Sequence, residues 1–206
     1  MVIGVTGGGW RLDLYWIPLG AGVGLGSKVV RASGGVYERM IGLVQHRAPV
    51  ALYHSALIAV TSGGRCTIES APVLDGHGVR ERGVVGGAAV GSRLLGGLRV
   101  FRYEVRCWLD GTIPDVGYAV ASPVRISDDP VAIARVLEVV RQVPTPVWGR
   151  DELRAGEMWN SNSVISWCLE MAGLLGRAGP PPEPGRAPGW DAGVAVARRS
   201  VGISAA

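Results

Sequence analysis

Glu157-Met158-Trp159-Asn160-Ser161-Asn162-Ser163-Val164-Ile165-Ser166-Trp167-Cys168-Leu169 decides how this chain is organised. It reads as the start of a buried helix with a polar doublet at its mouth. Asn160 suits the N-cap, where a side-chain oxygen accepts a free backbone N–H of the first turn. Val164, Ile165, Cys168, Leu169, Ala172 and Leu175 then recur at the spacing of a core-facing stripe. Ser161 lies on that stripe, so its hydroxyl sits at the positive end of a helix dipole and points inward. A nucleophile or an oxyanion-stabilising group would be placed there. Asn and Ser also gather at helix starts simply to cap them, and the stretch alone leaves both readings open.

The rest of the composition bounds what such a helix serves. A chain of 206 residues, 48% hydrophobic and 18% charged, can bury one real core. Thirty-two glycines imply many turns and close backbone approaches. The net charge of +4 comes from scattered arginines beside a single lysine, Lys28, with no basic run interleaved with aromatics, which argues against nucleic acid as a partner. Cys66, Cys107 and Cys168 are odd in number and lack CxxC spacing, so reduced thiols in a cytoplasmic protein are expected, without a disulfide framework, metal or cofactor. No signal peptide and no apolar run of membrane-spanning length is evident.

Upstream, Leu12 to Leu19 is strand-like, with Pro18 marking a strand end. The run from Gly20 to Lys28 invites a phosphate-loop reading, but its order is Gly-Ser-Lys rather than Gly-Lys-Ser/Thr, so a flexible loop is expected. Val36 to His46 has the pattern of a short amphipathic helix. Pro49 to Thr61 is a strong strand whose even face carries His54, Ala56 and Ile58. Ser62-Gly63-Gly64 turns it back into Arg65 to Ser70. Residues 74–97 read as a long glycine-rich surface excursion, with His77 an exposed turn residue. Arg99 to Leu109 alternates as a strand, and Asp110-Gly111 signals a hairpin into a further strand through Ala121. Asp129 and Pro130 open a helix over Val131 to Val143. The expected organisation is one α+β domain over 1–176, with an antiparallel sheet of about five strands and packed helices, followed by a Pro/Gly-rich tail over 177–206 that either wanders or wraps the domain.

A hydroxyl at a helix mouth needs a base, and the base needs an orienter. His54 is the histidine on the strongest strand, and Glu69 is the charged residue of the next. With Ser62-Gly63 as a two-residue loop, Glu69 falls opposite Ala56, diagonally near His54; a Gly63-Gly64 loop carries it too far away. A core histidine and a solvent-facing carboxylate are the alternatives for the two residues taken singly. A metal held by His54, Glu69 and a third group is the lesser alternative.

The order of these motifs resembles the circularly permuted papain-like group, which includes relatives of lecithin:retinol acyltransferase and permuted NlpC-type hydrolases. Asn160-Ser161-Asn162-Ser163-Val164 resembles the group's Asn-Cys-x-x-Phe helix start, with Ser161 in the place of cysteine. Tyr53-His54-Ser55-Ala56-Leu57 resembles its histidine strand, and Ile68-Glu69-Ser70-Ala71 its acidic strand. The resemblance covers roughly residues 50–175. It implies a hydrolase or acyltransferase acting on an amide, ester or thioester of a small-molecule, peptide or lipid substrate. Ser161 would attack, His54 would serve as base and then acid, and Glu69 would orient it. Tyr53, Trp159, Asn160 and Asn162 would line the substrate site. Serine forms no ready anion, so it must give its proton to His54 during attack. A catalytically inactive papain-like binding module is the alternative the resemblance also implies.

Overall fold

A computed structural model describes residues 9–21, 46, 48–73, 82–113 and 115–204. The glycine run through Lys28, the helix expected over Val36 to His46 and the surroundings of His77 lie largely outside these residues. Six strands form one antiparallel sheet: β1 (Arg11–Pro18), β2 (Tyr53–Thr61), β3 (Gly64–Pro72), β4 (Val84–Ala89), β5 (Arg102–Leu109) and β6 (Val124–Ser127), in the order β4-β5-β3-β2-β1-β6. Among the described residues three α-helices accompany them: α1 (Pro130–Val139), α2 (Ser161–Met171) and α3 (Trp190–Ser204). One face of the sheet, with Leu12, Leu14, Leu57, Ile68 and Val105, packs on Val136, Ile165, Cys168 and Ala197 of the helices. The other face holds a small second cluster of Ile17, Ala56, Ile58 and Ile113. Among the described residues, no helix is long and apolar enough to cross a membrane.

The α+β class and the antiparallel sheet stand, but the sheet has six strands rather than about five. The extra one is β4, inside the stretch expected to be a surface excursion. Its glycines hide strand alternation for a steric reason. A Cβ on Gly87 would stand 2.5 Å from the Tyr103 carbonyl oxygen, and one on Gly86 2.8 Å from the Thr145 methyl. The strand expected after Asp110-Gly111 is a second correction. Asp110 does turn through a positive φ of 52°. The chain then makes a single 3-10 turn at Val116–Tyr118, and β6 begins only at Val124, pairing with β1 at the far edge.

Of the two outcomes expected for the tail, residues 177–204 take the second and wrap the domain. After the prolines, α3 forms and lies along α2, with Ala192 and Ala197 fully buried. Gly193 allows the approach: a Cβ there would collide with the Ser163 carbonyl and the Ser166 hydroxyl. Sandwiched between the sheet and α3, α2 is buried at every residue from Ser161 to Leu169. That is why its serines face protein as well as its aliphatic residues.

Candidate functional site

β2 and β3 form the hairpin with the two-residue loop Ser62-Gly63, pairing Thr61 with Gly64. The ladder then runs only as far as Leu57 opposite Ile68. Beyond that point the strands part. Residues 53–56 keep β1 as their neighbour, and residues 69–72 keep β5. At the parted end, other groups take the place of β3. The Tyr53 N–H donates to the Arg186 carbonyl at 2.8 Å, and the Tyr53 carbonyl accepts from the Asn162 side-chain amide at 2.9 Å. The mouth of α2 therefore sits against the open end of β2.

That mouth is fixed by a dense set of bonds. The Asn160 side chain accepts from the Asn162 backbone N–H at 2.9 Å, and the Ser163 hydroxyl receives the Asn160 N–H at 3.0 Å, a reciprocal cap. The Asn160 amide donates to the Pro188 carbonyl at 2.8 Å. The Asn162 amide donates to that same carbonyl as well as to Tyr53, while its oxygen accepts the Ser55 hydroxyl at 2.8 Å. Ser163 and Ser166 each donate to a carbonyl at 2.7 Å, Gly189 and Trp190 respectively. Buried polar groups need partners, and here a downstream segment supplies them.

Within this frame His54 Nδ1 lies 2.7 Å from the Ser161 hydroxyl oxygen. Strand alternation pairs His54 with Ile17 and puts it on the face of Ala56 and Ile58, away from the helices. The parting of β3 lets the imidazole reach the helix mouth from that side. Ser161 itself is 5% exposed, whereas His54 is only half-buried and carries whatever opening the pair has to solvent. The protein around the ring still costs a charged imidazole its hydration, and this desolvation lowers the pKa of His54 to about 4. The ring is thus neutral at ordinary pH and can accept a proton. As the first residue of α2, Ser161 also has a backbone N–H without an intrahelical acceptor.

The structure brings Ser161 and His54 together and leaves Glu69 elsewhere. The parting carries Glu69 off with β5, where its carboxylate pairs with Arg106 at 3.6 Å. Arg106 also approaches Glu104 at 3.4 Å, and Glu104 is held by a bidentate Arg82 with both contacts at 2.7 Å. Among the described residues, Ser161 is the hydrogen-bond partner of His54, and none orients its second nitrogen. Tyr53 and Trp159 are buried in the main core rather than lining an opening. Asn160 and Asn162 flank Ser161 as expected, with their amides committed to carbonyls. Sequence reasoning missed the contribution of residues 186–190; Pro188-Gly189 ahead of an Ala/Val pattern was the available signal. Among the described residues no group of acidic, His or Cys side chains is arranged to hold a metal ion.

No protein-family model matches this chain, and comparison with curated proteins and with solved structures found no match either.

Proposed function

We propose that Ser161 and His54 form a catalytic dyad for acyl hydrolysis or transfer on an amide, ester or thioester, in a domain of circularly permuted papain-like (NlpC-like) kind. The 2.7 Å contact between His54 Nδ1 and the Ser161 hydroxyl at a helix N-terminus carries this reading. Neutral His54 takes the Ser161 proton at Nδ1 as the hydroxyl oxygen attacks the acyl carbonyl carbon. The oxyanion that forms is stabilised by the unpaired Ser161 N–H and the positive end of α2. As the tetrahedral intermediate collapses, His54 returns the proton to the leaving group and an acyl-serine remains. Water or an acceptor alcohol, amine or thiol then attacks the acyl carbon, giving its proton to His54, which passes it to the Ser161 oxygen as the acyl–oxygen bond breaks. Glu69 has no part in this scheme, because its carboxylate faces Arg106.

The second reading, an inactive binding module on the same scaffold, is favoured by the low exposure of Ser161. A fluorophosphonate probe separates the two. The dyad predicts covalent labelling of the wild type that disappears in Ser161→Ala and falls at least a hundredfold in rate in His54→Ala. Labelling that persists in Ser161→Ala rejects the dyad. Hydrolysis of small p-nitrophenyl esters, tested with the same variants, covers a site too narrow for the probe. No turnover and no labelling would leave the binding module.

A further inference from the structure

Residues 93–101 form a protrusion of successive 3-10 turns between β4 and β5. It carries Leu94 at 94% exposure, Leu98 at 57% and Val100 at 61%, with Leu95 and Phe101 also exposed. Large aliphatic side chains rarely stand so far into water in a cluster unless something covers them.

We propose that this protrusion docks the protein on an anionic lipid bilayer, its apolar tip entering the headgroup–acyl boundary. Three observations select this occupant. First, the charge around the tip is basic. Residues 90–103 contain Arg93, Arg99 and Arg102 and no acidic residue, and Arg150 reaches the base of the loop at the Gly91 carbonyl. Glu152 offsets Arg93, and the Asp151 carboxylate is turned into its own loop, where it accepts the Ala155 and Gly156 N–H groups. Arginines ringing an apolar tip match lipid phosphates at the depth where the leucines enter. Second, part of the backbone pairs within the protrusion. Leu95 N–H donates to Ser92, Leu98 to Leu95 and Phe101 to Leu98, and the Val90 N–H closes the base onto the Phe101 carbonyl at 2.8 Å. Each peptide group that carries its partner with it lowers the cost of entering the headgroup region. Third, the tip stands clear of the chain's other described residues, with Leu94 94% exposed. A side chain keeping nearly all of its surface needs a deep matching pocket in a protein partner, whereas a bilayer deforms around it. This inference stands apart from the catalytic reading and holds whether or not Ser161 reacts.

The test is co-sedimentation of the full chain with sucrose-loaded vesicles of phosphatidylcholine alone or with a minor fraction of phosphatidylglycerol. Partition onto the mixed vesicles is expected, weakening as salt is raised. The double substitution Leu94→Ser with Leu98→Ser, at positions that carry no core contact, should reduce partition by about tenfold per leucine. Arg99→Gln with Arg102→Gln should remove the preference for the anionic mixture. Three results would overturn the proposal: no sedimentation with either vesicle, equal partition of the leucine variant and the wild type, or a self-associated wild type that the leucine variant converts to monomer without any vesicle binding. The last would assign the tip to a second copy of this chain.

Discussion

His54 carries two consequences of one physical fact, the loss of hydration around its ring. The first is chemical: a ring with a pKa of about 4 stays neutral near neutrality and keeps a free acceptor nitrogen, though as a weaker base than an exposed imidazole. The second is thermodynamic. In the unfolded chain the same ring titrates near 6.5, so below that pH the unfolded state binds a proton that the folded state refuses. The stability His54 allows is therefore complete above about pH 6.5 and is lost as the pH falls through 4. The loss is on the order of 3 kcal/mol, reduced by screening at the open edge of the ring. Urea unfolding of the wild type should weaken between pH 7 and pH 4 more steeply than that of His54→Gln; parallel curves would contradict the buried ring. Ser161→Cys probes the same contact from the other side. A thiol at this contact can pass its proton to the imidazole as it attacks, so it should react with iodoacetamide near neutral pH faster than the buried Cys168. A folded Ser161→Cys variant whose new thiol stays inert would place the imidazole wrongly. These two residues were readable from residue type alone, a histidine on an apolar strand and a serine after a cap. The commitment of Asn160 and Asn162 was not, because asparagine caps a helix and contacts a ligand with the same atoms.

How β2 and β3 pair explains what pattern could and could not deliver. The short Ser62-Gly63 loop fixes register, and the observed pairing of Thr61 with Gly64 follows from it. Extending that register places Glu69 opposite Ala56. The ladder stops one residue pair short of that, because the carbonyl and N–H of Tyr53 find Asn162 and Arg186 instead. Nothing in the alternation of either strand marks where pairing ends, since both strands continue with other neighbours. For the same reason Glu69→Gln should alter stability through Arg106 and leave the probe-labelling rate of Ser161 within a few-fold of the wild type. A large fall in that rate would return Glu69 to the site. Between helices the decisive residue is Gly193, where α3 meets the backbone of α2. Gly193→Ala would gain helix propensity in an isolated peptide, yet here it must push α3 off Ser163 and Ser166. The expected outcome is a loss of about 1–3 kcal/mol in chemical denaturation, opposite in sign to the propensity change.

The chain closes on itself through its last thirty residues, and the candidate site depends on that closure. The carbonyls of Arg186, Pro188, Gly189 and Trp190 receive the Tyr53 backbone, the Asn160 and Asn162 amides and the hydroxyls of Ser163 and Ser166. Trp190 also packs its ring 4.9 Å from that of Trp16 on β1. Composition alone hides this, because AGPPPEPGRAPGW has the proline and glycine content of a linker. The chain uses those residues to run an extended strap across the open end of β2 before α3 begins. Ending the chain at Gly176 would remove the strap and α3 together. It would leave the Tyr53 N–H and the Asn160 amide without their acceptors, at about 1–3 kcal/mol each, take one of two acceptors from each of Asn162, Ser163 and Ser166, and expose the apolar flank of α2. Together with the lost apolar burial these losses are comparable with the whole stability of an ordinary domain, so the truncated chain should fail to fold, as read by its circular dichroism and amide exchange. A narrower cut separates folding from site geometry. Asn162→Ala removes the amide and carbonyl that tie the helix mouth to both β2 and the strap while leaving α3 in place. It should cost about 2–4 kcal/mol and lower the Ser161 labelling rate in the fraction that remains folded, since the mouth then loses its side-chain ties to Tyr53 and Ser55 on β2. Folding and labelling both at wild-type levels in Asn162→Ala would mean that the strap supports the fold without setting the Ser161–His54 contact.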